Sequence, residues 1–367
     1  MKTNYIMMMT KNLNDRRMSA APRRFRGFSV SVLCTTLFFH GMLSVSPVVA
    51  APPRDSEIQE AVTKGLDWLV AQQSRSGRWT TGRGEYPTPM TALAITALTA
   101  EGSTTMQGKY APAIRRGVDF LISQSRSNGL IGSGSDSHYT YGHGYAMLAL
   151  SQILGEEEDV ERREQLVSVL TKAVEFTCRA QTKAGGWGYV SAKDGSDYDE
   201  GSTTITQVQG LRGCRNAGIP VPKEAIDKAI AYIHRCTGPD GGVTYNTAGG
   251  PGRPAITAAA IACLYNAGDY DDQFAPKMLK FCETNLGVMD GNAMGFWHYA
   301  HFYYAQVMYR QGDEAWEKYK AKIAEHLLRE MNSNGYWSQS YIGDVYTTAN
   351  NLLILQLDRG TLPIYQR

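Results

Sequence analysis

The stretch KGLDWLVAQQSRSGRW, residues 64–79, decides the fold of this chain because its pattern returns at regular intervals. A basic residue opens an apolar run, and a glutamine, a glycine and a tryptophan follow it: Lys64, Gln73, Gly77 and Trp79. Two ungapped copies lie 108 and 258 residues further on, with Lys172, Gln181, Gly185 and Trp187, and then Lys322, Gly335 and Trp337. Weaker copies begin at Arg116 and Lys228. A fixed period near 50 residues indicates a repeat architecture.

Each period contains two helical patterns. The first, as in residues 62–70, carries apolar residues at helical spacing among charges, so we expect it to face solvent on one side. The second, as in residues 90–98, is apolar nearly all round and should be buried. Its later copies are residues 144–150, 203–208, 255–264, 297–308 and 346–355. Glycines expected to stop these helices are Gly102, Gly155, Gly218, Gly268 and Gly312.

Six such pairs over residues 57–367 predict an all-α fold, an (α/α)6 toroid with six inner and six outer helices in one domain. An open solenoid of the same pairs is the alternative. The solenoid needs polar capping repeats at its ends, and the sequence shows none.

Residues 1–50 have the pattern of a secretory signal peptide, with a long basic segment, an apolar run and a small-residue cleavage site at Ala50. Met18 is an alternative start, and residues 51–56 are a linker. We therefore expect an exported protein, periplasmic or extracellular. The chain has 37 Lys and Arg against 35 Asp and Glu, and the leader holds seven basic residues and one acidic residue. The rest is weakly acidic, which argues against nucleic-acid binding. Membrane association is not indicated.

Five cysteines follow the leader: Cys178, Cys214, Cys236, Cys263 and Cys282. Their odd number and spacing fit neither a disulfide framework nor a CxxC site, so we interpret them as small buried hydrophobic residues. One incidental disulfide between repeats remains an alternative in an exported protein. We expect no cofactor and no metal.

The repeat resembles the QW motif, K/R-G-x(2–3)-aromatic-L-x(3)-Q-x(2–5)-G-x-W, which residues 64–79 match at every position. The chain therefore looks like a member of the prenyltransferase and squalene-cyclase repeat superfamily over residues 57–367. Within it, the chain most resembles exported squalene-cyclase-like proteins of planctomycete-type bacteria. That similarity rests on residues 252–260, 298–306 and 362–367.

The motif residues have a structural interpretation. A glutamine after the outer helix can bridge to the next backbone segment, the glycine allows the turn, and the tryptophan ring covers the polar junction. We assign this role to Gln73, Gly77, Trp79, Gln181, Gly185, Trp187, Gly335 and Trp337.

The superfamily resemblance implies two chemistries. Triterpene cyclases carry an aspartate-rich DxDD before a buried helix, and its acid protonates an alkene. A literal match at Asp269, Asp271 and Asp272 leads into an outer helix, where it suits a turn. Asp197-Tyr198-Asp199-Glu200 is better placed, directly before the third inner helix, although Glu200 departs from the pattern.

Protein prenyltransferases instead need a zinc site of Asp, Cys and His, and no cysteine here lies in a suitable arrangement. His298 and His301 are three residues apart on one helix, but no further ligand lies within the same turn. We interpret them as polar or aromatic lining. Residues expected at the mouth of the central cavity are His143, Arg253, Trp297, His298, His301, Asp344 and Tyr346.

Three functions remain open. The preferred hypothesis is an exported scaffold that binds an isoprenoid-like or glycan small molecule, or a protein ligand, at the mouth. The second is a squalene-type cyclase with Asp199 as acid and Asp197 and Glu200 tuning it. The third is a polysaccharide-active barrel with opposed carboxylates such as Asp199 and Asp344.

Overall fold

The two helical patterns of each repeat form two concentric rings of helices. The computed structural model describes residues 55–366 apart from residues 135, 196, 289–295 and 339–340. The signal peptide expected over residues 1–50, and most of the linker, lie outside the described residues. The twelve helices described confirm the predicted all-α toroid of six helix pairs.

The outer helices are α1 (Asp55–Ala71), α3 (Ala111–Ser123), α5 (Val160–Ala180), α7 (Lys223–Cys236), α9 (Ala275–Asn285) and α11 (Asp313–Glu330). The inner helices are α2 (Pro87–Ala100), α4 (Tyr139–Glu156), α6 (Gly201–Asn216), α8 (Pro254–Ala267), α10 (Trp297–Arg310) and α12 (Asp344–Leu355). Helix α4 continues one residue past Gly155, the glycine expected to stop it.

Burial separates the two rings. Every residue of α2 from Thr88 to Ala100 is buried, because the inner ring packs against outer helices on one side and against itself on the other. Helix α3 buries only a stripe of apolar residues that includes Ile114, Val118 and Leu121. The inner ring runs α2, α4, α6, α8, α10, α12, and α12 packs against α2. The ring is therefore closed, and the open solenoid is wrong.

Consecutive repeats are joined at the glycine turns. Gly185 has φ +92°, and a Cβ there would lie 2.4 Å from the carbonyl oxygen of Lys228, the basic residue that opens the next repeat. A Cβ on Gly77 would likewise clash with the carbonyl oxygen of Arg116. Gly335 packs against Lys64, which joins the last repeat to the first. The turn and the basic position thus belong to one joint between neighbouring repeats.

The glutamines and tryptophans of the motif complete this joint. The Gln181 amide donates to the carbonyl oxygens of Gly185 and Ala225 at 2.8 and 2.9 Å, so it links its own turn to α7. Gln73 makes the equivalent bonds to Gly77 and Ala113. The indole N–H groups of Trp79, Trp187 and Trp337 donate to carbonyl oxygens of the preceding outer helix at 2.7–2.8 Å.

The chain after α12 closes one end of the ring, where the inner helices finish. The Thr361 hydroxyl donates to Ala100 at the end of α2, and the Ile364 N–H donates to Gln152 of α4. Ile364 and Tyr365 are buried. A molecule that enters the ring would therefore do so at the opposite end, where the inner helices begin.

The described part of the chain contains no helix that is both long and apolar enough to cross a membrane. The five cysteines of this part are unpaired, four of them buried, as expected for small packing residues.

Candidate functional site at the mouth of the ring

The inner helices all begin at the end of the ring opposite the C-terminal segment. We call this end the mouth, and define it as the first turns of the six inner helices with the residues directly before them. Their dipoles present partial positive charge there. Side chains of these first turns are the ones that an incoming molecule meets first.

Glu200 is the buried acid of the mouth. Its backbone N–H donates to the carbonyl oxygen of Trp187 at 3.1 Å, which fixes it as the N-cap of α6. The carboxylate accepts the backbone N–H groups of Ser202 and Thr203 at 2.9 and 2.5 Å and the hydroxyls of both residues. The Tyr141 hydroxyl donates to it at 3.2 Å. Burial raises the pKa of Glu200, and the bonds from Ser202 and Thr203 oppose that rise.

The other two acids of the predicted cluster do not face the mouth. Asp197 is exposed, and its carboxylate accepts the Lys183 backbone N–H at 3.0 Å across a turn. Asp199 is buried beside Tyr232 and Cys236 of the outer helix α7, and burial raises its pKa. Glu200 has an extended backbone, and successive side chains on extended chain point to opposite sides. Asp199 therefore points away from the mouth and Glu200 towards it.

A column of tyrosines continues inward from Glu200. Tyr299 and Tyr303 lie one turn apart on α10 with ring centroids 4.8 Å apart. Tyr299 lies within electrostatic range of Glu200, and both tyrosines lie within range of Tyr145 on α4. Tyr365 from the closed end completes the column. Tyr346, a predicted cavity residue, is buried in the same region, within range of Tyr145.

On the side of the mouth formed by α4, α6 and α8, three tyrosines cluster beside the guanidinium group of an arginine. The hydroxyls of Tyr189 and Tyr245 contact each other, and Tyr141 stacks on Tyr189 at 5.9 Å. The guanidinium of Arg253, a predicted site residue, lies 4.5 Å from the centroid of the Tyr245 ring. Arg253 is exposed, so it stands at the rim and not in the interior.

The opposite side of the mouth carries exposed aromatic rings. Phe296 and Tyr341 meet edge to face with centroids 6.0 Å apart. Tyr86 and Phe296 are the non-glycine residues with positive φ in the described chain, and each directly precedes an inner helix. Such a backbone is strained for a bulky residue. The local fold thus holds two aromatic side chains at the rim at a cost in backbone energy.

His143 lies between the two rings and not at the mouth. Its Nδ1 accepts the Ile131 backbone N–H at 3.0 Å, and its Nε2 faces Thr177 of α5 at 3.0 Å. Burial lowers its pKa to about 4. In four other repeats a threonine accepts the equivalent N–H: Thr91, Thr204, Thr257 and Thr348. In the second repeat, His143 therefore takes the structural role that a threonine has in the four other repeats.

The α10 histidines also turn towards other helices. His301 is the fifth residue of α10, as His143 is of α4, and its Nδ1 faces the Tyr319 hydroxyl of α11 at 2.8 Å. His298 Nδ1 faces the Asn351 side-chain oxygen of α12 at 3.0 Å. Trp297 packs against both imidazoles. Among the described residues no group of three His, Cys, Asp or Glu side chains is placed to hold a metal ion.

Asp344 is the first residue of α12, which lies across the ring from α6 and Glu200. It is partly exposed, and burial raises its pKa. Of the predicted site residues, Glu200 therefore lies at the mouth, Tyr346 in the buried interior, and Arg253 and Asp344 on different sides of the rim. Four column residues and one rim residue were not among the predicted site residues: Tyr145, Tyr299, Tyr303, Tyr365 and Ser202. The four-residue spacing of Tyr299 and Tyr303 was the available signal, since it places both rings on one helix face.

Comparison with known proteins agrees with this architecture. Residues 85–265 match the family model of the squalene-hopene cyclase C-terminal domain. Over 100 residues the chain is 32% identical to lanosterol synthase of Homo sapiens, a stretch that is 27% of this chain and 13% of the human protein.

Two solved structures share the fold at low identity. The type II terpene cyclase MstE from Scytonema has a TM-score of 0.55 at 13% identity, covering 84% of this chain and 100% of that one. The GH76A α-1,6-mannanase from Salegentibacter sp. HEL1_6 has a TM-score of 0.61 at 10% identity, covering 82% and 98%. The closed ring of six helix pairs makes this chain an α/α toroid, in which residues 85–265 are similar to the squalene-hopene cyclase C-terminal domain.

Proposed function

We propose that this protein binds an elongated small-molecule ligand at the mouth, with the rim aromatics holding its outer part and the tyrosine column its inner end. One observation carries the proposal. Five aromatic side chains are exposed among the described residues, and four of them lie within three residues of the start of an inner helix: Tyr86, Tyr198, Phe296 and Tyr341. The fifth is Tyr270, in the α8–α9 loop.

Exposed aromatic rings gathered on one face indicate an interaction surface, because burying each ring against a partner is favourable. The partly exposed Tyr141, Ser202 and Tyr299 connect this rim with the buried column. A ligand that spans both must be longer than a single ring. Elongation is therefore part of the proposal.

A second candidate is a squalene-type cyclase, and the match of residues 85–265 to the squalene-hopene cyclase domain favours it. In this version the acid is Glu200, since it is the member of the Asp197–Glu200 cluster that faces the mouth and has a raised pKa. A neutral carboxyl is what alkene protonation requires. Incubation with squalene tests it: cyclised product that disappears in Glu200→Gln supports the cyclase, and unchanged squalene contradicts it.

We also propose that the ligand is met outside the cytoplasm, because residues 1–50 have the pattern of an export signal. N-terminal sequencing of the protein recovered from the expressing cells checks this. A mature chain that begins at Ala51 supports export. An intact leader on cytosolic protein contradicts it.

The binding proposal is tested with native mass spectrometry against three neutral probes: squalene, geranylgeraniol and a trisaccharide. At least one probe should bind one to one. The double variant Phe296→Ala/Tyr341→Ala should weaken that probe at least about 10-fold, since each ring contributes on the order of 1 kcal/mol. Tyr270→Ala, an exposed ring away from the mouth, is the matched control and should bind like the wild type. No bound probe, or equal loss in both variants, would overturn the proposal.

A further inference from the structure

The tyrosine column contains hydroxyl groups that have no partner in the protein. The hydroxyls of Tyr299 and Tyr365 are buried and make no hydrogen bond. The buried hydroxyl of Tyr303 lies beside the Tyr145 side chain. Tyr303 is fully buried, at 0% exposure. The side-chain oxygen of Gln209 on α6 is likewise buried and unpaired. A buried polar group without a partner costs about 1–3 kcal/mol, so the interior of the ring is built to hydrogen bond with something that enters it.

The column offers no cationic side chain to an anionic ligand end. The buried residues of the six inner helices include no lysine or arginine. Arg253 stands at the rim, over the Tyr245 ring. A phosphate or carboxylate in the column would be desolvated without a counter-charge and would lie near Glu200, which is unfavourable.

A hydrocarbon end is also a poor fit. It would cover the hydroxyl of Tyr299 and leave it without a hydrogen-bond partner, at the free-energy cost given above. A sugar ring matches both features of a tyrosine, because its C–H face packs on the aromatic ring while its hydroxyls pair with the phenol oxygen.

We therefore infer that the ligand of the mouth is a neutral oligosaccharide, whose terminal sugar enters the column and pairs its hydroxyls with Tyr299 and Tyr303. This inference rests on the proposed binding function and specifies its ligand class. Tyr141 and Ser202, in the first turns of α4 and α6, provide the next hydroxyls along the path.

Calorimetric titration with a neutral trisaccharide, maltotriose or mannotriose, tests the inference on four forms of the full protein. The wild type should bind at least one of them. Tyr299→Phe and Tyr303→Phe, which each remove only an oxygen, should weaken binding about 5- to 10-fold, the loss of roughly 1 kcal/mol in one hydrogen bond. Tyr232→Phe is the control, since its hydroxyl is also buried but lies beside Asp199 and Cys236, outside the column. It should not change affinity.

The outcomes separate the two proposals. If squalene or geranylgeraniol binds and neither trisaccharide does, the ligand class is wrong and the binding function stands. If no probe binds, both fail. Equal affinity of Tyr303→Phe and wild type for the trisaccharide overturns the inferred contact, as expected if buried water alone pairs with these hydroxyls. A trisaccharide with a terminal glucuronate should bind at least about 10-fold more weakly, and tighter binding would contradict the charge argument.

Discussion

The backbone N–H of Glu200 donates to the carbonyl oxygen of Trp187 at 3.1 Å, so a tryptophan of the repeat positions the buried acid of the mouth. The backbone N–H of Trp187 in turn donates to the hydroxyl of Thr204 in the first turn of α6. These two bonds tie the joint between repeats to the start of an inner helix. The repeat residues therefore have a structural role, and through it they position the Glu200 side chain at the mouth.

Trp187→Phe should destabilise the protein by about 2–4 kcal/mol, because the smaller phenyl ring leaves a cavity at a fully buried position and the indole bond to the Thr177 carbonyl is lost. Trp79→Phe should cost a similar amount, since Trp79 makes the same bond to Leu69. Urea unfolding measures both. An unchanged midpoint in either variant would show that the indole bond does not support the joint.

Glu200→Ala should destabilise the protein by about 1–2 kcal/mol, because the N–H groups of Ser202 and Thr203 lose their cap. Asp197→Ala removes an exposed carboxylate that accepts a single N–H and should cost less. Thermal unfolding of the two variants compares them. The reverse order would contradict the placement of Glu200 as the capping acid.

Gly185→Ala should destabilise the protein by about 2 kcal/mol or more, since the new Cβ combines a positive φ with a clash at the Lys228 carbonyl. Gly218→Ala shares the positive φ, +84°, but a Cβ there meets nothing within 4 Å. It should therefore cost about 1 kcal/mol. The difference between the two variants in urea unfolding isolates the packing of the turn, and equal costs would argue against that packing.

The folded chain should lose stability as pH falls from about 6.5 to about 4. His143 titrates near pH 4 when folded and near 6.5 when unfolded, so the unfolded chain binds its proton first. His298 and His301, lowered to about 4 and about 3, act in the same direction. Glu200 and Asp199 have raised pKa values and act in the opposite direction, because their folded carboxyls take up protons first.

His143→Thr tests this contribution, since threonine fills the equivalent position in four other repeats. Between pH 7 and pH 4.5 the variant should lose roughly 2 kcal/mol less stability than the wild type. His143→Ala should be the less stable of the two variants at pH 7, because it leaves the Ile131 N–H unpaired. The same pH slope in wild type and His143→Thr would contradict the buried neutral histidine.

The sequence could predict the rings because period, helical spacing and glycine stops are local patterns. It could not predict which side of α6 each acid faces. Asp199 and Glu200 are adjacent in sequence, and the extended backbone that sends them to opposite sides depends on the Trp187 pairing. His143 gave no local signal either, since its role is visible only when the threonines of other repeats are superposed on it.

Amide hydrogen exchange with and without a neutral trisaccharide measures the central claim, that the mouth is the ligand-binding face. Bound ligand should slow exchange in the first turns of α4, α6 and α10, around residues 139–146, 200–206 and 297–304. Peptides from the loops that follow inner helices α6 and α8, residues 217–222 and 268–274, should be unaffected. Protection confined to the closed end, or spread evenly over the outer helices, would contradict the account.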